Sequence, residues 1–453
     1  MKNVRNFIKK NKLTLILDLN MVDDVKKLKE IGNIAQSKLD DNGFGGILEL
    51  QSQVLNSGYP NYIGCRIPVR LGINVQFFRD NLTDYDDKLI CDLLENGVPI
   101  GFEGENCSIG SVTNHKGARE FEDSVWKYLN KEASYGAIVG PFDKNPFSCN
   151  FTVFPLNTMP KRGTLERRVI LDLSFPAGNS VNDFISKEFY VGNKINLTYP
   201  KVDELVGIIK DKGPDCLIFK KDLKRAYRQL PLDPGDLHLV GFQWMGKLFA
   251  DRVLPMGLRS SAQICQRVTT TVSYMYYKLG YMAVNYLDDF GGAETKEKAN
   301  GANELLDKLL ENCGLEESPE KGVTSTTRME YLGVTVDTRK LILEVTPERV
   351  VEISLLVDAW LRKKKASLRD LQSLLGKLHF IATCVRPGRI FVSRLLNWLR
   401  KAFPPNIVGS GHKIFRKISH EVQKDLEWCI NFFHAITVFL SCLLKNGLLL
   451  MKY

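Results

Sequence analysis

Twelve residues past the middle of the chain, Met282–Ala293 (MAVNYLDDFGGA), constrain it more than any other stretch. An apolar, β-prone run meets two adjacent carboxylates, then Phe290, Gly291 and Gly292. That pattern predicts a hairpin with Asp288 and Asp289 at or beside its tip. Neighbouring carboxylates repel one another unless a cation, a proton or solvent relieves them. Taken alone, the pair reads first as a solvated turn, since short motifs recur by chance. A third carboxylate upstream changes the weighing. Cys216–Asp222 (CLIFKKD) is an apolar strand that ends in Asp222.

Asp222 by itself reads equally well as a helix N-cap for Leu223–Gln229. Lys321 by itself reads as a surface lysine. Their setting adds to both. Between the two acidic segments lies Leu254–Gln266 (LPMGLRSSAQICQ), a Pro-x-Gly turn followed by a helix signal with Ser260 or Ser261 as N-cap. Exposed backbone N–H groups at such a helix start suit a phosphate. Paired strands lie about 5 Å apart, so two strand-end carboxylates can grip a metal pair jointly. Two divalent ions about 3.5–4 Å apart can stabilise both the attacking and the leaving oxygen of a phosphoryl transfer.

Elsewhere the chain reads as support. It has 453 residues, 44% hydrophobic and 25% charged, with a net charge of +10 that favours a polyanionic partner. Ten scattered cysteines without a C-x-x-C pair, and six histidines, support neither a zinc site nor a disulfide framework. The expectation is a reduced, intracellular protein, cytoplasmic or nuclear, with no membrane span. Residues 1–70 read as a leader or partner-binding arm. Residues 116–135 read as a helix with Phe121, Val125, Trp126 and Leu129 in the core, closed by Gly140-Pro141. Phe151–Pro155 and Arg167–Leu173 read as antiparallel strands joined by the basic turn Pro160–Gly163. That turn is either a solvated edge or a positive flap over a phosphate. Tyr331–Val336 and Leu341–Val345 read as a strand pair, and from Thr346 onward the chain reads as helical. Ser367 and Asp370 have capping-box spacing, with Leu368, Leu371, Leu375, Leu378 and Ala382 as one apolar stripe behind them. Trp360–Lys401 carries eleven Lys or Arg against one acid, Asp370. Basic side chains interleaved with apolar stripes fit a nucleic-acid backbone.

With these parts in order, the sequence resembles a reverse transcriptase. Phe219–Leu232 (FKKDLKRAYRQLPL), Leu254–Gln266, Tyr286–Asp289 (YLDD), Ser318–Lys321 and Glu330–Gly333 are similar to that family's successive polymerase motifs. Within the family, Gly140-Pro141-Phe142, Arg168–Asn182 (RVILDLSFPAGNSVN), Leu371–Arg394 and Asn61–Pro68 resemble the DIRS-type retrotransposon branch. The resemblance spans about residues 59–400.

It implies an α+β, right-hand polymerase. Residues 1–130 form an N-terminal region, partly disordered then helical. Residues 131–345 are fingers and palm, 346–401 a helical basic thumb, and 402–453 a truncated connection or tail. It also implies template-directed DNA synthesis from dNTPs, on an RNA or DNA template with a primer, using two Mg²⁺ ions for which Mn²⁺ could substitute. Asp222 and Asp288 would bind the metals with the carbonyl of Leu223, supported by Asp289. Lys321 would steady or protonate the leaving pyrophosphate. Lys161 and Arg168 would hold the triphosphate, and Tyr227 would exclude a 2′-hydroxyl. Met256 and Gly257 would line the nucleotide pocket, with Gln266 nearby on the template side. Tyr331, Leu332 and Gly333 would place the primer end.

Three departures stand out. Met256 replaces a Gln of retroviral relatives. Neither a ribonuclease H nor a tyrosine-recombinase region is recognisable, and Leu440–Tyr453 does not continue the pattern. A decayed or co-opted copy that binds nucleic acid without polymerising is therefore the competing expectation. A nuclease is a weaker one, for no water-activating base lies near the carboxylates in sequence.

Overall fold

A computed structural model describes residues 72–104, 112–147, 149–161, 164–384, 388–404 and 414–429. The readings made for residues 1–70, the Arg162-Gly163 tip, Pro387 and the end of the chain lie outside these residues. The chain divides into two compact units, with the boundary between Thr326 and Thr327.

The first unit is built on two four-stranded sheets. One has the order Ala283–Tyr286, Asp289–Glu294, Leu217–Asp222, Val323–Thr326, antiparallel throughout. Its hairpin is tighter than the sequence suggested, because Leu287 and Asp288 alone make the turn. Gly291 and Gly292 are therefore not turn residues but sit inside the returning strand. Gly292 faces Phe219 across the sheet, where a Cβ would meet that ring at 2.4 Å. The helix Ser261–Lys278 packs on the hairpin's edge strand, and Ala299–Asn312 lies against the Asp289–Glu294 and Leu217–Asp222 strands. Ile264, Val268, Val272 and Met275, three or four apart, are buried along the first helix.

The second sheet has the order Ile138–Phe142, Lys247–Asp251, Gly241–Trp244, Val153–Phe154. Here the expected pairing is corrected. Val153–Phe154 runs parallel to Gly241–Trp244, while Leu156–Pro160 forms the hairpin with Arg167–Leu171. Pro155 separates the two strands, and proline cannot donate to a ladder. The helix expected over 116–135 is broken at Phe121 into Lys116–Glu120 and Glu122–Ser134. Val125 and Leu129 are fully buried, but Phe121 is 41% exposed and carries the Arg167 guanidinium 3.6 Å from its ring centre. Gly140-Pro141 lies within a strand rather than ending the helix.

The second unit starts with a three-stranded antiparallel meander, Arg328–Tyr331, Val334–Asp337 and Ile342–Val345. The expected single strand Tyr331–Val336 is thus two strands. Leu332 (φ +49°) and Gly333 (φ +77°) form the turn between them, the two-positive-φ geometry that matches strand twist. Helices Pro347–Leu361, Leu368–Cys384 and Gly388–Ala402 follow. Pro347 occupies the first helical position, where its missing N–H costs nothing. Ser367 and Asp370 form the predicted box: each backbone N–H donates to the other's side chain, at 3.2 Å. The Leu368–Ala382 stripe is buried against Ile353, Val357 and Trp360. Among the described residues, no helix is long and apolar enough to cross a membrane.

Candidate active site

The strand register brings the three aspartates together. Asp222, the last residue of its strand, stands directly opposite Asp289, the first residue of the returning strand. Asp288 occupies the turn immediately before, and its carbonyl accepts the Leu223 N–H at 2.8 Å. Leu223, buried and next to Asp222, thus ties the two acidic segments through the backbone. Asp222 is a strand terminus, not a helix cap: the following Ala226–Gln229 is a short 3₁₀ turn entered through Arg225. Ser318 N–H donates to the Asp222 carbonyl at 2.7 Å and holds the Ser318–Gly322 turn beneath it. From that turn Lys321 Nζ reaches Asp222 Oδ1 at 2.7 Å. Lys220, two residues before Asp222 on the same face of the strand, places its Nζ 3.0 Å from Asp289 Oδ1. The sequence reading gave Lys220 no role, although period-two alternation puts it beside Asp222.

Charge is concentrated here. Burial pushes the Asp288 carboxyl above the usual carboxylate range, and Asp289 and Asp222 push it further. Asp289 is raised by burial as well, against the pull of Lys220. Burial draws the Lys321 ammonium down, but Asp222, Asp288 and Asp289 more than offset it and raise its pKa. The protein thus leaves three acids sharing a space in which two lysines offset part of the charge.

Gln266 proves to be a different kind of residue from the one expected. It is 1% exposed, and its amide bonds to the hairpin from both ends. Nε2 donates to the Asn285 carbonyl at 2.9 Å, and Oε1 accepts the Leu287 N–H at 2.7 Å. Leu287 has φ +53°, a conformation that costs a non-glycine residue about 1–2 kcal/mol. Gln266, expected near the nucleotide pocket on the template side, has its polar atoms occupied by backbone inside the fold and offers none of them to a nucleotide. Ser260 occupies the N-cap position, as expected, and its carbonyl accepts the Ile264 N–H at 3.0 Å. Its hydroxyl, and that of Ser261 in the first turn, are buried and donate to the carbonyls of Ile100 and Pro255 at 2.8 and 2.9 Å instead of accepting from the helix.

Met256, 37% exposed, and Gly257, at φ +97°, form the expected turn. Asn182 clamps it: Nδ2 donates to the Gly257 carbonyl at 2.8 Å, and Oδ1 accepts the Arg259 N–H at 2.7 Å. In sequence Asn182 is one polar residue of the Arg168–Asn182 stretch, with no local signal that it serves the turn at Met256-Gly257. Tyr227 is half-buried, its phenol pKa raised by burial and then by Cys265, Asp288, Tyr199 and Tyr286. Tyr199 and Tyr286 pack with ring centres 5.8 Å apart. Lys161 and Arg168 are both exposed on the Leu156–Leu171 hairpin, Lys161 Nζ lying 3.2 Å from Glu166. Tyr331, Leu332 and Gly333 belong to the second unit. There Tyr331 is fully buried, which leaves the Leu332-Gly333 turn as the outward part of that trio.

Among the described residues, no three carboxylate, imidazole or thiol groups are already closed around one point. Mg²⁺ does not need such a cage, for it keeps several waters and binds through one or two carboxylates plus substrate phosphates. Asp288 and Asp289, with raised proton affinity, and Asp222 beside them are three oxygen donors that fit that chemistry, and the lysines on Asp222 and Asp289 show that the site takes up positive charge.

Comparison with known proteins agrees with this geometry. Residues 160–336 match the family described as "Reverse transcriptase (RNA-dependent DNA polymerase)". Polyprotein P3 of Commelina yellow mottle virus is 26% identical over 199 residues, 44% of this chain and 10% of that protein. Two solved structures of a foamy viral protease-reverse transcriptase are also similar. One, a dRH form with ds DNA, is 16% identical at a TM-score of 0.53 over 93% of this chain and 61% of its own. The other, with dsDNA, is 15% identical at 0.50 over 93% of this chain and 73% of its own. The chain thus spans a tenth of the curated relative and about three-fifths of the first structure. The fold is α+β, of the right-hand polymerase class. Residues 160–336 are a reverse transcriptase domain.

Proposed function

We propose that this chain is the polymerase portion of a DIRS-type retrotransposon reverse transcriptase, an RNA-directed DNA polymerase that extends a primer 3′-hydroxyl with dNTPs. One observation carries the reading: Asp222 faces Asp289 across the sheet, while Asp288 sits in the turn tied to Leu223. In this reading Asp222, Asp288 and the Leu223 carbonyl hold two Mg²⁺ ions, with Asp289 in support. When bound, the ions supply Lewis-acid stabilisation of the charge that develops on the phosphoryl group.

The chain's own residues do the positioning. Gln266 fixes the hairpin so that Asp288 and Asp289 keep their spacing. The turn at Met256-Gly257, held by Asn182, forms the floor for the incoming nucleotide. Tyr227 stands under the sugar and excludes a 2′-hydroxyl. Lys161 and Arg168, on the exposed hairpin, meet the triphosphate. Lys321, paired with Asp222, would steady or protonate the leaving pyrophosphate. Leu332 and Gly333 place the primer, and the basic helices Leu368–Cys384 and Gly388–Ala402 take the template–primer backbone as a thumb. Most of the rate gain in such a reaction comes from alignment and fixed charge.

Primer extension on matched RNA and DNA templates tests the reading. Addition of dNTPs on the RNA template, lost on chelation of divalent ions, is the expected result. Tight template–primer binding without addition under Mg²⁺ or Mn²⁺ would instead identify a nucleic-acid-binding remnant of such an element.

A further inference from the structure

The turn that carries Tyr227 is fastened from two directions. Lys224 and Gln229, at its ends, hold the Glu316 segment. Lys224 Nζ lies 2.6 Å from Glu316 Oε1, while Gln229 Nε2 donates to the Glu316 carbonyl at 2.9 Å and Oε1 accepts the Glu316 N–H at 2.7 Å. Arg225 and Arg228 reach the other way, to Glu132 on the helix Glu122–Ser134. Arg225 Nη2 and Arg228 Nε lie 2.5 and 2.9 Å from the same oxygen of Glu132. Arg228 continues to Asp251 at 2.7 Å, and the Tyr135 ring centre lies 3.6 Å from the Arg225 guanidinium.

This cluster is more than a staple between two elements. The side chains of Glu132, Arg228 and Asp251 are at most 6% exposed, and buried ion pairs regain their desolvation cost poorly as a source of stability. Their better-attested use is to specify one geometry. The geometry at stake is unusual. Arg225 has φ +55°, a left-handed conformation that a residue with a side chain keeps only where its surroundings over-determine it. Arg225 and Arg228 bracket Tyr227 within a single turn, and one carboxylate holds both. Four neighbours of Tyr227 in the turn are thus anchored, and its own ring is left beside Cys265, Asp288, Tyr199 and Tyr286.

We propose that Glu132 is a positioning residue for Tyr227, setting the height of its ring through Arg225 and Arg228 and thereby the discrimination between dNTPs and rNTPs. The inference rests on the reading of Tyr227 as the sugar gate. It adds a residue ninety-five positions away, on a different element, to the determinants of sugar selectivity.

The test compares incorporation of dNTPs and rNTPs, as a ratio of kcat/KM values, in the full chain and its variants. Glu132→Gln keeps the volume but loses the charge that holds two guanidiniums. Tyr135→Leu keeps the ion pairs and removes the ring beneath Arg225, so it serves if the first variant does not fold. Either is expected to lower discrimination by about tenfold, a loss typical of a displaced positioning group. In a Tyr227→Ala background the same changes should lower it no further, because the gate through which they act is gone. A purely structural role predicts a lower Tm with discrimination unchanged, and that result in folded variants would overturn the inference. If Tyr227→Ala itself leaves discrimination intact, the gate reading fails and the inference with it. A wild type that adds no nucleotide at all refutes the polymerase reading first.

Discussion

Gln266 holds Leu287 in its left-handed turn: the amide oxygen accepts the Leu287 N–H at 2.7 Å while the amide nitrogen grips Asn285 at 2.9 Å. Replacing Gln266 with Leu leaves that N–H without its partner, at a cost of about 1–3 kcal/mol. The expected outcome is a lower Tm and a single-turnover incorporation rate reduced about 10- to 100-fold, as the adjoining Asp288 shifts. Affinity for template–primer should be unchanged, because Gln266 is buried. An unchanged rate in a destabilised variant would reduce Gln266 to a structural residue.

Lys220 and Asp289 form an ion pair in which both partners are mostly shielded from solvent. Lys220→Met removes a charge that competes with a bound cation. Without metal the variant should be less stable than wild type, since Asp289 then shares its space with Asp222 and Asp288 with one lysine fewer to offset the charge. Added Mg²⁺ should raise its Tm more than it raises that of the wild type, by mass action on a tighter site. Melting curves against Mg²⁺ concentration in EDTA-treated protein measure this. Equal responses would show that Lys220 does not compete for the site.

Asn182 bridges Gly257 and Arg259 with one amide. Asn182→Ala should loosen the Met256-Gly257 turn and raise KM for dNTPs by about tenfold while kcat changes less. Steady-state kinetics on a homopolymer template separate the two. A drop in kcat at unchanged KM would place the effect on chemistry rather than on nucleotide binding.

Acid should dissolve the Glu132 cluster within a defined window. Burial pushes the Glu132 carboxyl up, but Arg225 and Arg228 outweigh it and hold it down at about 2, against 4.5 for a free glutamate. A folded pKa below the unfolded one gives stability that is complete above the unfolded value and is lost as pH falls. Unfolding midpoints in urea should therefore fall as pH drops from about 4.5 toward about 2. Glu132→Gln should show a shallower fall over that interval, and an identical slope would remove Glu132 as the group responsible.

Much of the site was legible because its residues carry local signals. Asp222 ends an apolar run, Asp288 and Asp289 interrupt another, and the Leu254–Gln266 turn announces itself through Pro and Gly. What was not legible depends on pairing across long sequence separations. Nothing local tells Val153–Phe154 to run parallel to Gly241–Trp244, or places Glu132 against Arg228. The place of Gln266 is legible but its chemistry is not, because an amide facing solvent and one facing backbone look alike in sequence. Ser260 is the N-cap that its place after the Pro-x-Gly turn announces, but its hydroxyl is engaged by the Ile100 carbonyl, a partner no local signal reveals. Tyr331 lies in a motif that reads as a primer contact, yet its 0% exposure makes it core.

The most direct test of the central claim is single-nucleotide addition to a primer on an RNA template with Mg²⁺, wild type beside Asp288→Asn. The substitution keeps the shape of the side chain and removes the charge that the site concentrates. The account predicts addition by the wild type, no detectable addition by Asp288→Asn, and equal binding of the template–primer by both. Equal rates of addition in the two proteins would contradict it.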